Sequence, residues 1–246
     1  MTTDGRVALV TGSSRGIGAG IVRALAADGV RCVVNYVADE SGRNRADADA
    51  LAAECGASLV CECDVADHRA VGEMMRSIVD RLGGIDIIVA NAGILRDRTL
   101  RKMTVEDFRR VIDVNLGGTF NVLQHAATLV RPGGRIVTIG SVASFQGFFG
   151  QGNYAASKGG IVALTKVAAR EFARQGTTVN CVAPGFVATD ILADMPPEVT
   201  DKFVAAIPLG RLGQIDDVVN AVAFLCSPRS GYVTGQVIHV NGGFAM

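Results

Sequence analysis

The stretch Thr11-Gly12-Ser13-Ser14-Arg15-Gly16-Ile17-Gly18 decides the fold of this 246-residue chain. It directly follows a short apolar run and opens a longer helical pattern. The glycine at position 12 allows a tight turn, the one at 16 lets the backbone approach a pyrophosphate, and the one at 18 lets the helix pack closely on the strand. Free N–H groups at the helix start and the positive end of its dipole favour phosphates. This strand–turn–helix arrangement predicts a dinucleotide site.

The same alternation of short apolar runs and longer helical patterns continues to the end of the chain. The apolar runs predict buried parallel strands, and the helical patterns predict helices on both faces of the sheet. The strands are expected at Arg6–Thr11, Arg31–Tyr36, Ser58–Cys63, Ile85–Ala90, Arg135–Ser141, Thr178–Ala183 and Val237–Val240. The helices are expected at Gly16–Asp28, Asp67–Leu82, Thr104–Val130, Asn153–Gln175 and Ile215–Cys226. We therefore expect one α/β domain over residues 1–246, a Rossmann-type doubly wound parallel sheet of about seven strands.

One long stretch, Pro184–Pro208, interrupts this alternation and carries Pro196-Pro197 in its middle. A segment of this length that leaves the edge of a sheet is typical of a substrate lid. We place the lid at about residues 187–207, and an ordinary surface excursion is the alternative.

The overall composition excludes several classes of protein. The 24 basic and 24 acidic side chains cancel, without the basic stripe that nucleic acid requires. No apolar stretch reaches the roughly 18–20 residues that cross a bilayer, and the first ten residues lack the pattern of a signal peptide. Cys61, Cys63 and His68 do not have the spacing of zinc ligands. We expect a cytoplasmic protein that binds no metal, nucleic acid or membrane.

Tyr154 and Lys158 lie four residues apart in a helical pattern, so their side chains are adjacent on one face. A free phenol has a pKa of about 10, and a neighbouring ammonium group favours the phenolate. Tyr154 is therefore a candidate general acid near neutral pH. Ser141 ends the fifth predicted strand at the same sheet edge, where its hydroxyl can donate to a substrate oxygen as charge develops.

The T-G-x-x-x-G-x-G form of Thr11–Gly18 resembles the short-chain dehydrogenase/reductase family. The resemblance covers the whole chain, because further motifs of the family follow in the same order. They are Asp64-Val65, Asn91-Ala92-Gly93, Asn115, Ser141, Tyr154, Lys158, Pro184-Gly185, Thr189 and Asn241-Gly242-Gly243.

This resemblance implies a role for each matching residue. The catalytic residues would be Asn115, Ser141, Tyr154 and Lys158, with Asn115 holding a water that relays protons to Lys158. Asp64 would accept a hydrogen bond from the adenine amino group, and Thr189 would bind the nicotinamide carboxamide. The full set expected to bind the cofactor is Gly12, Ser13, Ser14, Arg15, Gly16, Ile17, Gly18, Asn35, Asp64, Val65, Asn91, Ala92, Gly93, Tyr154, Lys158, Pro184, Gly185, Val187 and Thr189.

The end of the second predicted strand favours NADP(H) over NAD(H). That strand ends Val34-Asn35-Tyr36, without the carboxylate that binds a ribose 2′-hydroxyl and repels a 2′-phosphate. Arg15 is placed to meet the 2′-phosphate, with Arg43 or Arg45 assisting, although Asp39 and Glu40 lie close by. A solvated turn charge is the alternative interpretation of Arg15.

Three stretches sharpen the resemblance towards reductases of 3-oxoacyl thioesters. They are Asn91–Asp97 with Lys102-Met103-Thr104, Ile207–Gly213, and Tyr232–Gly235 with Val240–Gly243. The implied reaction is the NADPH-dependent reduction of a 3-oxoacyl thioester, carried on acyl carrier protein or coenzyme A. The alternatives are a reductase of another ketone or alcohol (polyketide, sugar or steroid) and a non-catalytic NADP-binding subunit of a mixed oligomer.

Two partner surfaces follow from the same resemblance. Pro132 and Gln175 stand where basic residues would meet an acidic carrier protein, while their neighbours Arg131 and Arg174 are either docking residues or solvated helix-end charges. The small side chains of Asn153–Ala173 suit close packing between subunits, or burial within one chain. We expect a homotetramer.

Overall fold

Seven parallel strands form one sheet in the computed structural model, which describes residues 5–189 and 197–246. Their order is β3-β2-β1-β4-β5-β6-β7. The strands are β1 (Val7–Val10), β2 (Arg31–Tyr36), β3 (Leu59–Glu62), β4 (Ile85–Ala90), β5 (Val130–Ile139), β6 (Thr178–Pro184) and β7 (Val237–Val240). The predicted doubly wound parallel sheet is confirmed.

Helices cover both faces of this sheet. They are α1 (Gly16–Ala27), α2 (Arg43–Cys55), α3 (His68–Leu82), α4 (Val105–Val111), α5 (Gly118–Leu129), α6 (Ala143–Gln146), α7 (Gly152–Phe172), α8 (Pro197–Ala206) and α9 (Ile215–Cys226). Successive side chains of β1 point to opposite faces. Val7 and Leu9 therefore pack in the core layer of α3, α5 and α7, while Ala8 and Val10 pack in that of α1, α2 and α9.

The helices depart from the sequence-based expectations at several places, and α6 and α8 are two further helices that were not expected. Helix α2 was not predicted, because its polar sequence buries only Ala48 and Leu51. The expected helix Thr104–Val130 is divided by a π-helical turn at Ile112–Gly117, and Val130 already belongs to β5. Helix α7 ends at Phe172 and continues as a short 3₁₀ turn, Ala173–Gln175.

The expected lid at 187–207 is described only in part, because residues 190–196 lie outside the described residues. On one side of that gap, Val187 forms a parallel bridge with Gly213. On the other side, α8 leads back to the sheet. No helix among the described residues has the length and apolar character that crossing a membrane would need.

The strand order reverses between β1 and β4. The chain runs outward from β1 to β3 and then returns to place β4 on the other side of β1. The turns that follow β1 and β4 therefore diverge, and they leave a crevice at the carboxyl edge of the sheet, which is where ligands bind in such folds.

Candidate active site

Hydrogen bonds join the turn after β1 to the turn after β4. The Asn91 side-chain amide donates to the carbonyl oxygens of Thr11 and Gly12, at 2.9 and 3.0 Å. The Thr11 hydroxyl oxygen accepts from the backbone N–H groups of Asn91 and Ala92, at 3.0 and 3.1 Å. Gly12 has a φ of +59°, and a Cβ atom there would lie 2.8 Å from the Ala92 Cα. Only glycine fits this approach.

Ser13 and Asn35 fix the shape of the glycine turn. The Ser13 hydroxyl donates to the Val10 carbonyl at 2.7 Å and accepts from the Asn35 N–H at 3.1 Å. The Asn35 side-chain oxygen accepts from the Gly12 N–H at 3.0 Å, and its amide donates to the carbonyls of Cys61 and Cys63. Both side chains are buried, so they act on a ligand through the backbone that they hold.

A cavity of about 400 Å³ runs along this crevice. The predicted cofactor residues that line it are Gly12, Ser14, Arg15, Gly16, Ile17, Gly18, Asn35, Asp64, Val65, Asn91, Ala92, Gly93, Tyr154, Lys158 and Thr189. Four others do not line it, namely Ser13, Pro184, Gly185 and Val187. Gly185 instead packs against Asn241, and its N–H donates to Val240, while Val187 lines a separate cavity beside β7.

The start of α1 fits the phosphates of a dinucleotide. No side chain caps this helix and its first turn has no acidic residue, so its N–H groups face the cavity without a competing carboxylate. Gly16 has a φ of +59°, and no atom lies within 4 Å of the position that a Cβ would take. The turn therefore leaves open space beside an electropositive helix end.

Charged side chains lie near the end of the cavity that Arg15, Asn44 and Asp64 line, which we call the adenosine end because the adenosine half of a dinucleotide would lie there. Asp47 pairs with Arg15 at 3.8 Å and with Arg43 at 3.6 Å. Asp39, which follows β2, accepts from the Asn44 N–H at 2.8 Å and from the Ser41 hydroxyl, and these hydrogen bonds lower the pKa of its carboxyl group. Asn44 itself lines the cavity, although the sequence did not single it out.

Lys158 and Tyr154 close the other end of the cavity. The Lys158 Nζ donates to the Ile139 carbonyl at 2.7 Å and lies 5.6 Å from the centre of the Tyr154 ring. Only 4% of the Lys158 surface is exposed, and burial lowers its pKa to about 8. This ammonium group therefore still carries its proton at neutral pH, close to the point at which it can release it.

The pKa of Tyr154 shifts in the direction opposite to the one expected. Burial raises this pKa, a hydrogen bond with Ser141 acts against the increase, and the Asp97 carboxylate adds to it. The cost of burying a phenolate is therefore the main cause of this shift. As a result, Tyr154 holds its proton at neutral pH, as a proton donor must.

Asn153 positions Tyr154, and the sequence alone did not single it out. Its side-chain oxygen accepts from the Tyr154 N–H at 2.8 Å, and its amide donates to the Arg96 carbonyl at 2.9 Å. This buried side chain thereby ties the first turn of α7 to the loop that follows β4. An asparagine at the start of a helix is the signal that could have identified it.

Asn115 lies in the π-helical turn and faces the same site. Its amide donates to the Ser157 hydroxyl and to the Ile94 carbonyl, each at 3.1 Å, and its side-chain oxygen accepts from the Ile94 N–H at 2.8 Å. The Ser157 hydroxyl donates in turn to the Tyr154 carbonyl at 2.8 Å. A Cβ atom on Gly93 would lie 3.3 Å from the Asn115 Oδ1 and 3.7 Å from the Lys158 Nζ, so Asn115 and Lys158 border the same point.

A cluster of phenylalanine rings lies beyond Ser141, over the ends of β6 and β7. This phenylalanine cluster consists of Phe148, Phe186, Phe203 and Phe244. The Phe186 ring centre is 4.1 Å from that of Phe203, 5.2 Å from that of Phe244 and 5.4 Å from that of Phe148. Since the Val142 N–H donates to the Pro184 carbonyl, the Ser141 turn and the start of this cluster are neighbours.

The two basic residues considered for carrier docking have different surroundings. Arg131 pairs with Asp86 at 3.1 Å and donates to the Gly83 carbonyl. These groups lie at the amino ends of β4 and β5, at the edge of the sheet opposite Ser141. Arg174 is exposed at the end of the 3₁₀ turn.

Among residues 5–189 and 197–246, no group of three or more His, Cys, Asp or Glu side chains is placed to hold a metal ion. All six cysteines are free thiols.

Comparisons with known proteins agree with this geometry. Residues 12–245 match the family described as enoyl-(acyl carrier protein) reductase. A protein of Staphylococcus aureus (strain Mu50) named 3-oxoacyl-[acyl-carrier-protein] reductase FabG is 43% identical over 241 residues, which are 97% of this chain and 98% of that protein.

Two solved structures share the fold over nearly their entire length. A short-chain dehydrogenase/reductase mutant from Serratia marcescens has a TM-score of 0.92 at 37% identity and covers 100% of both chains. A short-chain dehydrogenase/reductase described as glucose/ribitol dehydrogenase, from Brucella melitensis, has a TM-score of 0.92 at 32% identity, covering 99% of this chain and 98% of that one. The chain therefore belongs to the short-chain dehydrogenase/reductase family of nicotinamide-dependent oxidoreductases.

Proposed function

We propose that this protein catalyses the NADPH-dependent reduction of a 3-oxoacyl thioester to the 3-hydroxyacyl thioester, with Tyr154 as the general acid. The observation that carries the proposal is the position of Tyr154. Its ring lies beside the buried Lys158 ammonium, and its side chain lines the cofactor cavity.

Ser141, Tyr154 and Lys158 each have a separate role in the reduction. The substrate carbonyl oxygen accepts hydrogen bonds from the hydroxyls of Ser141 and Tyr154, which oppose the negative charge that develops there. The glycine turn, Asp64 and Lys158 would hold a reduced nicotinamide cofactor, which would supply the hydride for the carbonyl carbon. Tyr154 donates its proton to the oxygen, and the Lys158 ammonium stabilises the resulting phenolate. Water held at the Asn115 turn returns a proton through Lys158.

The adenosine end of the cavity favours NADPH. Asn35 and Tyr36, which end β2, and Val37, which follows it, carry no carboxylate and line the cavity. Arg15 lines the same end, where its guanidinium can meet a 2′-phosphate. Asp39 lies nearby, but its carboxylate is occupied by hydrogen bonds within its own loop.

The phenylalanine cluster supports an acyl substrate. The Ser141 turn neighbours Phe186, so the chain of a substrate whose carbonyl group is held between Ser141 and Tyr154 would be able to extend towards this apolar wall. Such a wall suits a hydrocarbon chain and offers few partners for the hydroxyl groups of a sugar. The relative from Staphylococcus aureus carries the name of a 3-oxoacyl-[acyl-carrier-protein] reductase, which agrees with this substrate.

The carrier is either acyl carrier protein or coenzyme A. Pro132 and Gln175 offer no charge for an acidic carrier protein, and Arg131 is held by Asp86. The reduction of the 3-oxo group is the same for both carriers, so only an assay with each thioester distinguishes them.

We further propose a cytoplasmic homotetramer. Helices α5 and α7 leave apolar side chains on their outer surface, with Phe120 46% and Val167 51% exposed. Exposed apolar side chains on adjacent helices are typical of an interface between subunits. A stable monomer in light scattering would contradict this assembly.

The decisive assay follows NADPH oxidation by absorbance, with acetoacetyl-CoA as substrate and NADH as a parallel cofactor. Rapid turnover with NADPH, and slower turnover with NADH, supports the proposal. Repeating the assay with the acyl-carrier-protein thioester then identifies the carrier. No turnover with either thioester, despite activity on another ketone, would leave the family assignment intact and overturn the substrate. Binding of NADPH with no turnover on any carbonyl compound would instead favour the non-catalytic subunit.

A further inference from the structure

Arg110 reaches the adenosine end of the cofactor cavity from an unexpected direction. Arg110 lies on α4, 46 residues from Asp64 in the sequence. Its Nη2 atom donates a hydrogen bond to the Asp64 Oδ2 at 3.0 Å. Arg110 lines the cavity together with Asp64, Val65 and Val114. No motif in the sequence pointed to Arg110.

Both partners retain hydrogen-bonding capacity towards the cavity. A carboxylate offers about four acceptor sites, and within the described chain Asp64 uses one on the Ala66 N–H, at 2.9 Å, and one on Arg110. A guanidinium has about five N–H donors, and the hydrogen bond to Asp64 uses one of them. The pair therefore presents an acceptor next to a donor, fixed relative to each other by a charge-assisted bond.

Adenine carries the complementary pattern. Its exocyclic amino group is a donor, and the ring nitrogens beside it are acceptors. We propose that Arg110 is an adenine-binding residue, which donates to a ring nitrogen while the Asp64 carboxylate that orients it accepts from the adjacent amino group. The family resemblance implied that Asp64 meets the adenine amino group, with the Val65 backbone beside it, and the contact from α4 adds a second side chain to recognition of the base.

The alternative roles of Arg110 differ in what they affect. An ion pair whose side chains are 42% and 35% exposed contributes little to stability, so a purely structural role is a weak explanation for this contact. A role as a counter-ion for the 2′-phosphate would act on NADPH and leave NADH unchanged. Recognition of adenine would act on both cofactors equally.

The test is a set of dissociation constants for the purified full chain, measured by cofactor fluorescence without substrate. The probes are NADPH, NADH and reduced nicotinamide mononucleotide, which lacks the adenosine half. Arg110→Met should weaken NADPH and NADH by the same factor, about tenfold for a lost charge-assisted hydrogen bond, and should leave the mononucleotide unchanged. Arg109→Met, on the same helix but outside the cavity, is the matched control and should change none of the three.

A double variant tests whether the two residues act as a pair. Asp64→Asn and Arg110→Met should each weaken NADH, and their combination should weaken it little more than either alone, because both remove the same paired contact. A loss confined to NADPH would overturn the proposal in favour of the 2′-phosphate. Equal losses for the mononucleotide, or a lowered melting temperature of the Arg110 variant, would overturn it in favour of a structural role. None of these measurements depends on the identity of the acyl substrate.

Discussion

The glycine turn and the catalytic end of the cavity lie at the same sheet edge, and both are rich in polar side chains. In the glycine turn, Thr11, Ser13, Asn35 and Asn91 direct their hydrogen bonds to neighbouring backbone groups. At the catalytic end, the side chains of Tyr154 and Lys158 line the cavity itself and lie beside each other. The two regions therefore use polarity differently, one to hold a backbone shape and the other to present reactive groups.

The regions also differ in electrostatics. The start of α1 is electropositive through its backbone and carries no acidic side chain in its first turn. The catalytic end contains a buried cation, Lys158, whose pKa is lowered to about 8, and a phenol whose pKa is raised. Both shifts have burial as their main cause. Substitutions in the first region should thus change stability and cofactor affinity, whereas substitutions in the second should change rates and pH dependence.

The largest effect is expected at the catalytic end. Tyr154→Phe removes the proton donor and keeps the ring, so kcat should fall by about 10³-fold, within the range of a lost general acid. The dissociation constant for NADPH should stay within about twofold of the parent value, since one hydroxyl contributes little to binding beside the glycine turn. Single-turnover kinetics and cofactor fluorescence measure the two quantities. Retained turnover would contradict the assignment of the acid.

The second largest effect concerns the buried Lys158 ammonium group and the pH dependence of the free energy of unfolding. Lys158 has a folded-state pKa of about 8, below its ordinary value of 10.5, so at pH 7 the unfolded chain binds this proton more tightly and folding is penalised. The penalty disappears as the pH rises from 8 to 10.5. The free energy of unfolding of the parent should therefore rise relative to that of Lys158→Met, by on the order of 2 kcal/mol between pH 7 and 10.

Chemical denaturation of both proteins at each pH, in the absence of cofactor, measures this difference. Because other titrating groups are common to both proteins, the comparison isolates residue 158. A difference that stays constant with pH would mean that Lys158 is not desolvated in the folded chain.

A substitution that removes the support of the glycine turn should have the opposite profile. Asn91→Ala removes the hydrogen bonds to the carbonyls of Thr11 and Gly12 and should lower the free energy of unfolding by about 1–2 kcal/mol. At saturating NADPH, kcat should remain within a few fold, because the catalytic side chains do not touch Asn91. Asn220→Ala, an exposed change on α9, is the control and should leave the melting temperature unchanged. A loss of kcat with an unchanged free energy of unfolding would contradict the structural role that we assign to Asn91.

The smallest effect is expected in the phenylalanine cluster. Phe203→Ala removes the ring stacked on Phe186 and enlarges the apolar site at α8. The ratio of kcat/KM for a longer 3-oxoacyl thioester to that for acetoacetyl-CoA should rise a few fold, in keeping with the small energy of one or two methylene groups in a pocket. Phe224→Ala, on the surface of α9, is the control. An unchanged ratio would mean that the phenylalanine cluster does not contact the acyl chain.

The sequence was sufficient for the features that depend on local patterns. All seven strands follow from short apolar runs, and the glycine turn follows from glycines whose spacing has a mechanical reason. Catalytic candidates at positions 154 and 158 followed from helical spacing, and the structure places their side chains together.

The remaining features depend on contacts between distant segments. Arg110 meets Asp64 across 46 residues, and the phenylalanine cluster draws its rings from four separate segments. The pKa of Tyr154 was misjudged for a related reason. The proximity of Lys158 could be inferred from spacing, but the extent of burial, which is the main cause of the raised pKa, could not.

The π-helical turn at Ile112–Gly117 has a consequence for how this chain tolerates changes in length. A π-turn accommodates one more residue than the same stretch of α-helix would, and it does so without rotating the flanking helices. Deleting a single residue within this turn should therefore let α4 and α5 join as one continuous α-helix, with Val122 and Leu123 still packed in the core. The same deletion elsewhere in α5 would turn the following residues by about 100° and move those side chains out of the core. The carbonyl and amide groups around Asn115 thus lie at the position in this long helix where one residue can be lost without disturbing the sheet.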